Sequence, residues 1–209
     1  MGARVWDERY AAQKLVWSAG PNIFVEKIAG ELEPGRALDL AAGEGRNAIW
    51  LARRGWQVDA VDYSGVAIGR TERRAAEAGV ADRVTTQVVD VITSRFDAVY
   101  DLVLLSYLQL SADQMHTALL VAVDAAKPGG QVLVVGHARK NLIDGYGGPQ
   151  DPAVLYDPPE LVRDARGLPV TVHEAELQER VVTDSDGAEH TAIDTVVLLE
   201  RVSGVVGRG

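Results

Sequence analysis

The segment that most constrains this chain is residues 37–48, where an apolar stretch leads into closely spaced glycines and then into a helical pattern. Gly43, Gly45 and Ala48 fit the spacing G-x-G-x-x-G/A of a strand, a tight turn and a helix. Glycine lets the backbone turn sharply and approach a ligand, and the free N–H groups of the helix then point at that ligand. The segment predicts a nucleotide site, although these glycines alone are shared by dinucleotide and adenosine binders.

Acidic residues at strand ends strengthen this interpretation. Asp39 lies inside the apolar strand, where a carboxylate is costly unless a ligand or a donor meets it. Asp62 ends the next strand, at the distance where an acid binds a ribose, and Asp90 follows a third strand, residues 84–89, which we expect to be buried. Because ligands bind at the carboxyl ends of parallel strands, the three acids predict one common site.

Strand and helix patterns alternate along most of the chain. Helices are predicted after the glycines, from Ser64 to about residue 78, and from Ser111, while residues 102–105 and 131–136 form the fourth and fifth strands. Two final strands, residues 170–182 and 191–201, flank a turn of Asp, Ser and Gly. We therefore predict an α/β fold with a Rossmann-like, doubly wound, mostly parallel seven-stranded sheet that closes with a C-terminal antiparallel hairpin.

Composition excludes several classes of function. The 209 residues include 21 Lys and Arg against 30 Asp and Glu, a net charge of −9, which argues against nucleic acid as a partner. There is no cysteine, so a disulfide framework, a thiolate metal site and a cysteine nucleophile are excluded. The four histidines are far apart, and we predict no metal site. With no apolar run of membrane-spanning length, we expect a cytoplasmic protein and no membrane partner.

Taken together, residues 38–45, Asp62, Asp90, residues 127–130 and the closing hairpin resemble the class I S-adenosylmethionine-dependent methyltransferases. Residues 6–10, 45–48 and 147–152 are similar to a bacterial subgroup that includes the tellurite-resistance and thiopurine-type small-molecule enzymes. The resemblance implies that a methyl group passes from S-adenosyl-L-methionine to a small-molecule acceptor by in-line displacement, leaving S-adenosyl-L-homocysteine. The length predicts one domain, residues 1–209, and the residue patterns divide it into an N-terminal helical cap (1–35), a cofactor-binding core (36–136), and an acceptor loop with the terminal hairpin (137–202).

The resemblance also implies roles for individual residues. Asp39 orients the glycine loop and the amino group of the methionine moiety, Asp62 holds the ribose hydroxyls, and Tyr63 flanks the adenine. Asp90 accepts from the adenine amino group beside the Val91 backbone. Ala41 stands where the family usually has glycine, and we expect the loop to tolerate its methyl group. The expected cofactor residues are Asp39, Ala41, Gly43, Gly45, Arg46, Asn47, Asp62, Tyr63, Ser64, Asp90, Val91, Ser106 and Tyr107.

The acceptor side is expected in the N-terminal cap and in the long irregular loop, residues 137–156. A sulfonium is a cation, and Tyr10, Trp17 and Tyr107 are the aromatic side chains that could stabilise it. His137, at the end of the fifth strand, is the best placed base if the acceptor carries a proton. His137 and Tyr107 are therefore the catalytic candidates, the first as a base and the second through its aromatic ring near the methyl group. The expected acceptor residues are Tyr10, Trp17, Asn22, His137 and Tyr156.

Two other functions remain open at this point. A nicotinamide-dependent oxidoreductase would use the same glycines and the following acid, but Asp39, the Pro-Gly-Gly turn at residues 128–130 and the terminal hairpin favour methyl transfer. A non-catalytic cofactor-binding module would keep the fold without turnover. The chain is expected to be a monomer or a homodimer.

Overall fold

The computed structural model describes Asp7 and residues 20–203, and these build a seven-stranded sheet in the order β3-β2-β1-β4-β5-β7-β6. Neighbours among the first five strands run parallel, whereas β7 runs antiparallel to both β5 and β6. The predicted doubly wound sheet with a terminal hairpin is thereby confirmed. The strands are β1 (Arg36–Leu40), β2 (Gln57–Asp62), β3 (Val84–Val88), β4 (Tyr100–Ser106), β5 (Ala126–His137), β6 (Val170–Thr183) and β7 (Glu189–Arg201).

Helices cover the sheet and begin at capping residues. Ser64 accepts a hydrogen bond from the Ala67 amide, and capping boxes at Ser111 and Asp157 start two more helices, as the sequence predicts. Within the expected N-terminal cap, one helix, Ile23–Ala29, lies among the described residues. The helices are α1 (Ile23–Ala29), α2 (Arg46–Arg53), α3 (Gly65–Glu77), α4 (Ala112–Ala125), α5 (Asn141–Asp144) and α6 (Pro158–Asp164), with 3-10 turns at Ala81–Arg83, Val91–Thr93 and Pro152–Val154.

The central strands are apolar on both faces because each face packs against a separate core. Along β4, Val103 and Leu105 face the core that includes α4, and Leu102 and Leu104 face the core that includes α2. Successive side chains of a strand point to opposite faces, so a strand between two helical layers becomes a continuous apolar run. This burial fixes β1 and β4 side by side, with their carboxyl ends at one edge of the sheet.

The prediction that residues 84–89 form a buried strand was wrong. β3 is the edge of the sheet, and most of its side chains are partly or fully exposed, including Thr85, Gln87 and Val88. An edge strand has a neighbour on one side only, so its β-branched residues are less covered than those of β4. Over the part of the chain that the structure describes, no helix has both the length and the apolar character that a membrane crossing needs.

Candidate active site

A cleft opens where β1, β2 and β4 end, at the point where the chain order along the sheet reverses. Every predicted cofactor residue except Gly45 and Ser64 lines it. The sequence missed several further lining residues, most of them apolar, which follow the ends of β1, β3 and β4. The lining residues are Asp39, Ala41, Ala42, Gly43, Arg46, Asn47, Asp62, Tyr63, Val89, Asp90, Val91, Ile92, Ser106, Tyr107, Leu108, Gln109 and Leu110.

Gly45 and Ser64 lie outside the cleft wall and position the turns that form it. Gly45 has a φ of 74°, and a Cβ there would lie 2.5 Å from Cγ2 of Thr71, so the start of α2 packs directly on α3. Ser64 is fully buried, caps α3, and hydrogen-bonds the carboxylate of Asp7. Both residues therefore shape the turns that carry the site and do not line the cleft.

Asp62 connects the glycine turn to the end of β2. Its Oδ2 accepts the Gly43 amide at 2.9 Å, and its Oδ1 accepts the Ser64 amide at 2.9 Å. Burial raises the pKa of the Asp62 carboxyl, although these two amides oppose the shift. Each carboxylate oxygen can accept a second hydrogen bond, so Asp62 can hold the turn and still meet ribose hydroxyls.

Asp39 is a buried carboxylate that no described residue hydrogen-bonds in good geometry. It is 1% exposed, and neither of its oxygens has a hydrogen-bond partner in satisfactory geometry among the described residues. Burial raises its pKa to about 7, against the opposing effects of the Arg46 guanidinium and the Ala48 amide. A buried acid whose charge is not met by a well-placed donor is costly, and Asp39 faces the cleft beside the glycine turn. A cationic amino group, such as that of S-adenosylmethionine, fits this position.

Asp90 lies at the exposed end of the cleft. Its Oδ1 accepts the Ile92 amide at 3.1 Å and starts the turn Val91–Thr93, which leaves Oδ2 available for a donor. Tyr63 is half-buried, and Val91 is buried. Polar and apolar groups that converge here suit a flat heterocycle with an exocyclic amine.

A second cavity adjoins the cleft and shares Arg46, Tyr107 and Gln109 with it. Of the predicted acceptor residues, Asn22 and His137 line this cavity, and Tyr10 and Trp17 lie outside the described residues. The loop after β5 and the end of β6 supply most of the remaining wall. It is lined by Pro21, Asn22, Ile23, Arg46, Tyr107, Gln109, His137, Tyr146, Gly147, Gly148, Pro149, Gln150, Asp151, Val154, Arg180, Val181, Val182 and Thr183.

Tyr156 is not part of this cavity, which corrects its expected role as an acceptor residue. Its side chain is buried in the core, and its hydroxyl donates to the Val135 carbonyl at 3.4 Å. Gly136 makes the space, because a Cβ there would overlap the Tyr156 hydroxyl. Tyr156 is therefore a packing residue beneath β5.

Tyr107 lies at the junction of the cleft and the cavity and has an unusual backbone conformation. Its φ is 55°, which is rare for a bulky residue and is often found at functional sites. Its hydroxyl donates to Asp194 Oδ2 at 2.7 Å and accepts from Asn22 Nδ2 at 3.1 Å. Burial raises the pKa of this hydroxyl, so it stays protonated. The guanidinium groups of Arg46 and Arg180 lie 5.6 and 5.7 Å from the ring centroid.

Asp194 is a central residue of this site that the sequence reasoning missed. It is fully buried in β7, directly opposite His137 of β5 in the antiparallel register. Oδ2 accepts from Arg180 Nε at 2.8 Å as well as from Tyr107, and Oδ1 lies 3.2 Å from His137 Nδ1. Burial would raise the pKa of Asp194, but these donors lower it. The signal was present, since Asp194 interrupts an apolar strand just as Asp39 does.

The sheet order, the glycine turn after β1 and the acids at the strand ends are those of the class I S-adenosylmethionine-dependent methyltransferase fold. Residues 7–145 match the family described as "Tellurite resistance protein TehB", and the chain belongs to this family. TehB from Haemophilus influenzae has the same fold, with a TM-score of 0.71 at 18% identity over 93% of this chain and 67% of that one.

Curated relatives match shorter segments. An L-tyrosine C(3)-methyltransferase from Streptomyces lavendulae is 29% identical over 62% of this chain and 36% of its own length. A ubiquinone biosynthesis O-methyltransferase from Alkalilimnicola ehrlichii is 34% identical over 53% of this chain and 44% of its own length. The chain thus spans less than half the length of the curated relatives it matches. The nicotinamide-dependent alternative finds no support in these similarities.

Proposed function

We propose that this protein binds S-adenosylmethionine in the cleft at the ends of β1, β2 and β4, and that it methylates a small molecule held in the adjoining cavity. The observation that carries the proposal is Asp39, a buried carboxylate that faces the cleft and lacks a hydrogen-bond partner among the described residues. The ion pair with an amino group would offset the cost of its burial.

The other cleft residues would hold the rest of the cofactor. Asp62 would accept from the ribose hydroxyls while it keeps the glycine turn closed, and Asp90 and Val91 would meet the adenine beside Tyr63. Arg46 is close enough to Asp39 to lower the pKa of that acid, so it balances the charge at this end of the cleft. When bound, S-adenosylmethionine supplies an electrophilic methyl carbon on a positively charged sulfur.

The residues between the two cavities would align the acceptor and keep out water. Tyr107 is shared by both, and its hydroxyl is already engaged by Asp194 and Asn22. Because this hydroxyl is held as a donor, Tyr107 would act through its ring, whose face can stabilise a cation, and not as a base. Catalysis then rests mainly on alignment, since the leaving group is already activated.

We propose further that the acceptor is a small molecule and not a nucleic acid, consistent with the net charge of −9. Residues 137–202 would provide most of the acceptor side and residues 36–136 the cofactor side, with residues 1–35 as a cap. The protein would act in the cytoplasm as a monomer or a homodimer.

Isothermal titration calorimetry with S-adenosylmethionine, S-adenosylhomocysteine, NAD and NADP tests the cofactor. We expect micromolar binding of the first two compounds and none of the others, with weaker binding in Asp39→Asn. Binding of NAD or NADP alone would overturn the proposal. Release of S-adenosylhomocysteine with any thiol, amine, hydroxyl or metalloid acceptor then separates an enzyme from a non-catalytic binding module.

A further inference from the structure

His137 and Asp194 form a pair across the β5–β7 boundary. The antiparallel register places their Cα atoms opposite each other, and Nδ1 of His137 lies 3.2 Å from Oδ1 of Asp194. Neither of these two buried atoms completes a hydrogen bond in good geometry with any described residue, each other included. Each atom therefore needs a partner, and a proton on Nδ1 aimed at Oδ1 would satisfy both.

The carboxylate of this pair is held in one orientation. Its second oxygen, Oδ2, accepts from both Tyr107 and Arg180, and Asp194 is fully buried. Rotation of the carboxylate would break both bonds in a site where solvent cannot replace them. Oδ1 is consequently presented to His137 as a fixed acceptor.

The imidazole ring is also held. Its centroid lies 4.7 Å from that of Tyr107, and a Cβ on Gly148 would lie 3.0 Å from its Cγ and Nδ1. The ring lines the acceptor cavity, and no described residue hydrogen-bonds Nε2. With Nδ1 3.2 Å from Oδ1 of Asp194, Nε2 is the nitrogen left for the acceptor.

We propose that His137 is a general base whose Nδ1–H is oriented by Asp194, and that the acceptor atom is therefore an oxygen or a nitrogen that carries a proton. This inference rests on the proposed function and narrows its substrate class. Nε2 takes the proton of the acceptor while the oxygen or nitrogen lone pair forms the bond to the methyl carbon. The electron pair of the broken carbon–sulfur bond stays on sulfur, and the imidazolium later releases its proton to water.

The pairing distinguishes between classes of acceptor. A thiolate or a metalloid oxyanion reacts without losing a proton in the methyl-transfer step, so it would gain little from a base. A hydroxyl or a neutral N–H group gains about a hundredfold or more. Asp194 is a positioning residue here, because it acts through His137. Among the described residues, the other ionisable groups around the pair are Tyr107, Arg180, Tyr156, and Arg46 over the Tyr107 ring.

Nitrogen-15 NMR of the full-length protein tests the orientation without any cofactor or acceptor. At a pH where the ring is neutral, we expect the His137 proton on Nδ1. In Asp194→Asn, the single carbonyl oxygen should stay with Arg180 and Tyr107, which turns the amide NH₂ toward His137 and moves the ring proton to Nε2. A proton on Nε2 in the unmodified protein would overturn the proposal.

Methylation assays test the acceptor class, with catechol, thiophenol and tellurite as probes. We expect catechol to be methylated. His137→Gln should lower the rate of catechol methylation at least about a hundredfold and should lower the rate of thiophenol methylation far less. The affinity for S-adenosylmethionine should stay unchanged. His173→Gln is the matched control, since His173 lies outside both cavities and should change nothing. Methylation restricted to thiophenol or tellurite would overturn this inference and leave the proposed function intact, whereas loss of cofactor binding would end both.

Discussion

Tyr107 and Asp194 are 87 positions apart in the chain, and a hydrogen bond of 2.7 Å joins them. One residue follows β4 beside the cleft, and the other lies in the terminal hairpin next to His137 and Arg180 of the second cavity. The bond therefore connects the two halves of the site, and it depends on a tyrosine with a strained backbone.

Removing only the hydroxyl of Tyr107 should weaken that connection. Tyr107→Phe leaves Asp194 Oδ2 with Arg180 alone and leaves Asn22 Nδ2 without its partner. We expect the free energy of unfolding in urea to fall by about 1 to 3 kcal/mol, and turnover to fall as well. Tyr100→Phe is the control, since it removes a 2.8 Å bond to Asp59 far from the cleft and should cost stability but not turnover. Equal turnover in both variants would contradict the assigned role.

Asp62 should contribute to both cofactor binding and folding. Asp62→Ala removes the ribose acceptor and leaves the Gly43 and Ser64 amides unpaired. We expect the affinity for S-adenosylmethionine to fall about ten- to a hundredfold in calorimetry, with a stability loss of about 1 to 3 kcal/mol. Asp59→Ala, in the same strand, should lose stability through Arg36 and Tyr100 but bind the cofactor normally. Unchanged affinity in folded Asp62→Ala would contradict the assignment.

The Asp39 carboxyl should make both stability and binding depend on pH. Its folded pKa of about 7 exceeds the unfolded value of 3.8, so the folded apoprotein holds this proton more tightly. The stabilisation of the folded state by this tighter proton binding is therefore complete below about pH 4, and it is lost as the pH rises to about 7.

Cofactor binding should show the opposite trend, because an amino group needs the ionised acid. Below about pH 7, affinity for S-adenosylmethionine should fall, approaching tenfold per pH unit. Parallel titrations of Asp39→Asn, expected to bind weakly with a flatter pH dependence, provide the comparison. Identical slopes in the two proteins would refute this origin.

Ala41 should be a site where glycine stabilises the protein. Its φ of 60° lies in the left-handed region, which costs an L-residue roughly 1 kcal/mol. We expect Ala41→Gly to raise the free energy of unfolding by about 0.5 kcal/mol. Ala42→Gly, which relieves no such strain, should lower the free energy of unfolding by about 0.5 to 1 kcal/mol. A lower free energy of unfolding in both variants would argue against strain at Ala41.

The cofactor half of the site could be predicted because it depends on local patterns. Parallel strands end at one edge of the sheet, so Asp39, Asp62 and Asp90 could be assigned to one site from their positions alone. The glycine turn and the helix caps are likewise set by neighbouring residues.

The acceptor half could not be predicted in the same way. Arg180 and Asp194 reach the site through the register of β7 against β5 and β6, which depends on long-range pairing. Tyr156 was misassigned because its burial depends on the space left by Gly136, twenty positions earlier, and no local pattern reports that contact. His137 could be assigned because it ends a strand, but its partner could not.

The opposition of His137 and Asp194 in the strand register also makes this site sensitive to changes in length. Side chains along a strand alternate between the two faces of the sheet, so a one-residue deletion in β7 between the turn and Asp194 would move a different side chain opposite His137. Substitutions can change the cavity one residue at a time, whereas a change in length between the turn and Asp194 would shift this pairing, so we expect length changes there to be confined to the turn between β6 and β7. Homologous hairpins should therefore differ mainly by substitutions and seldom by insertions or deletions.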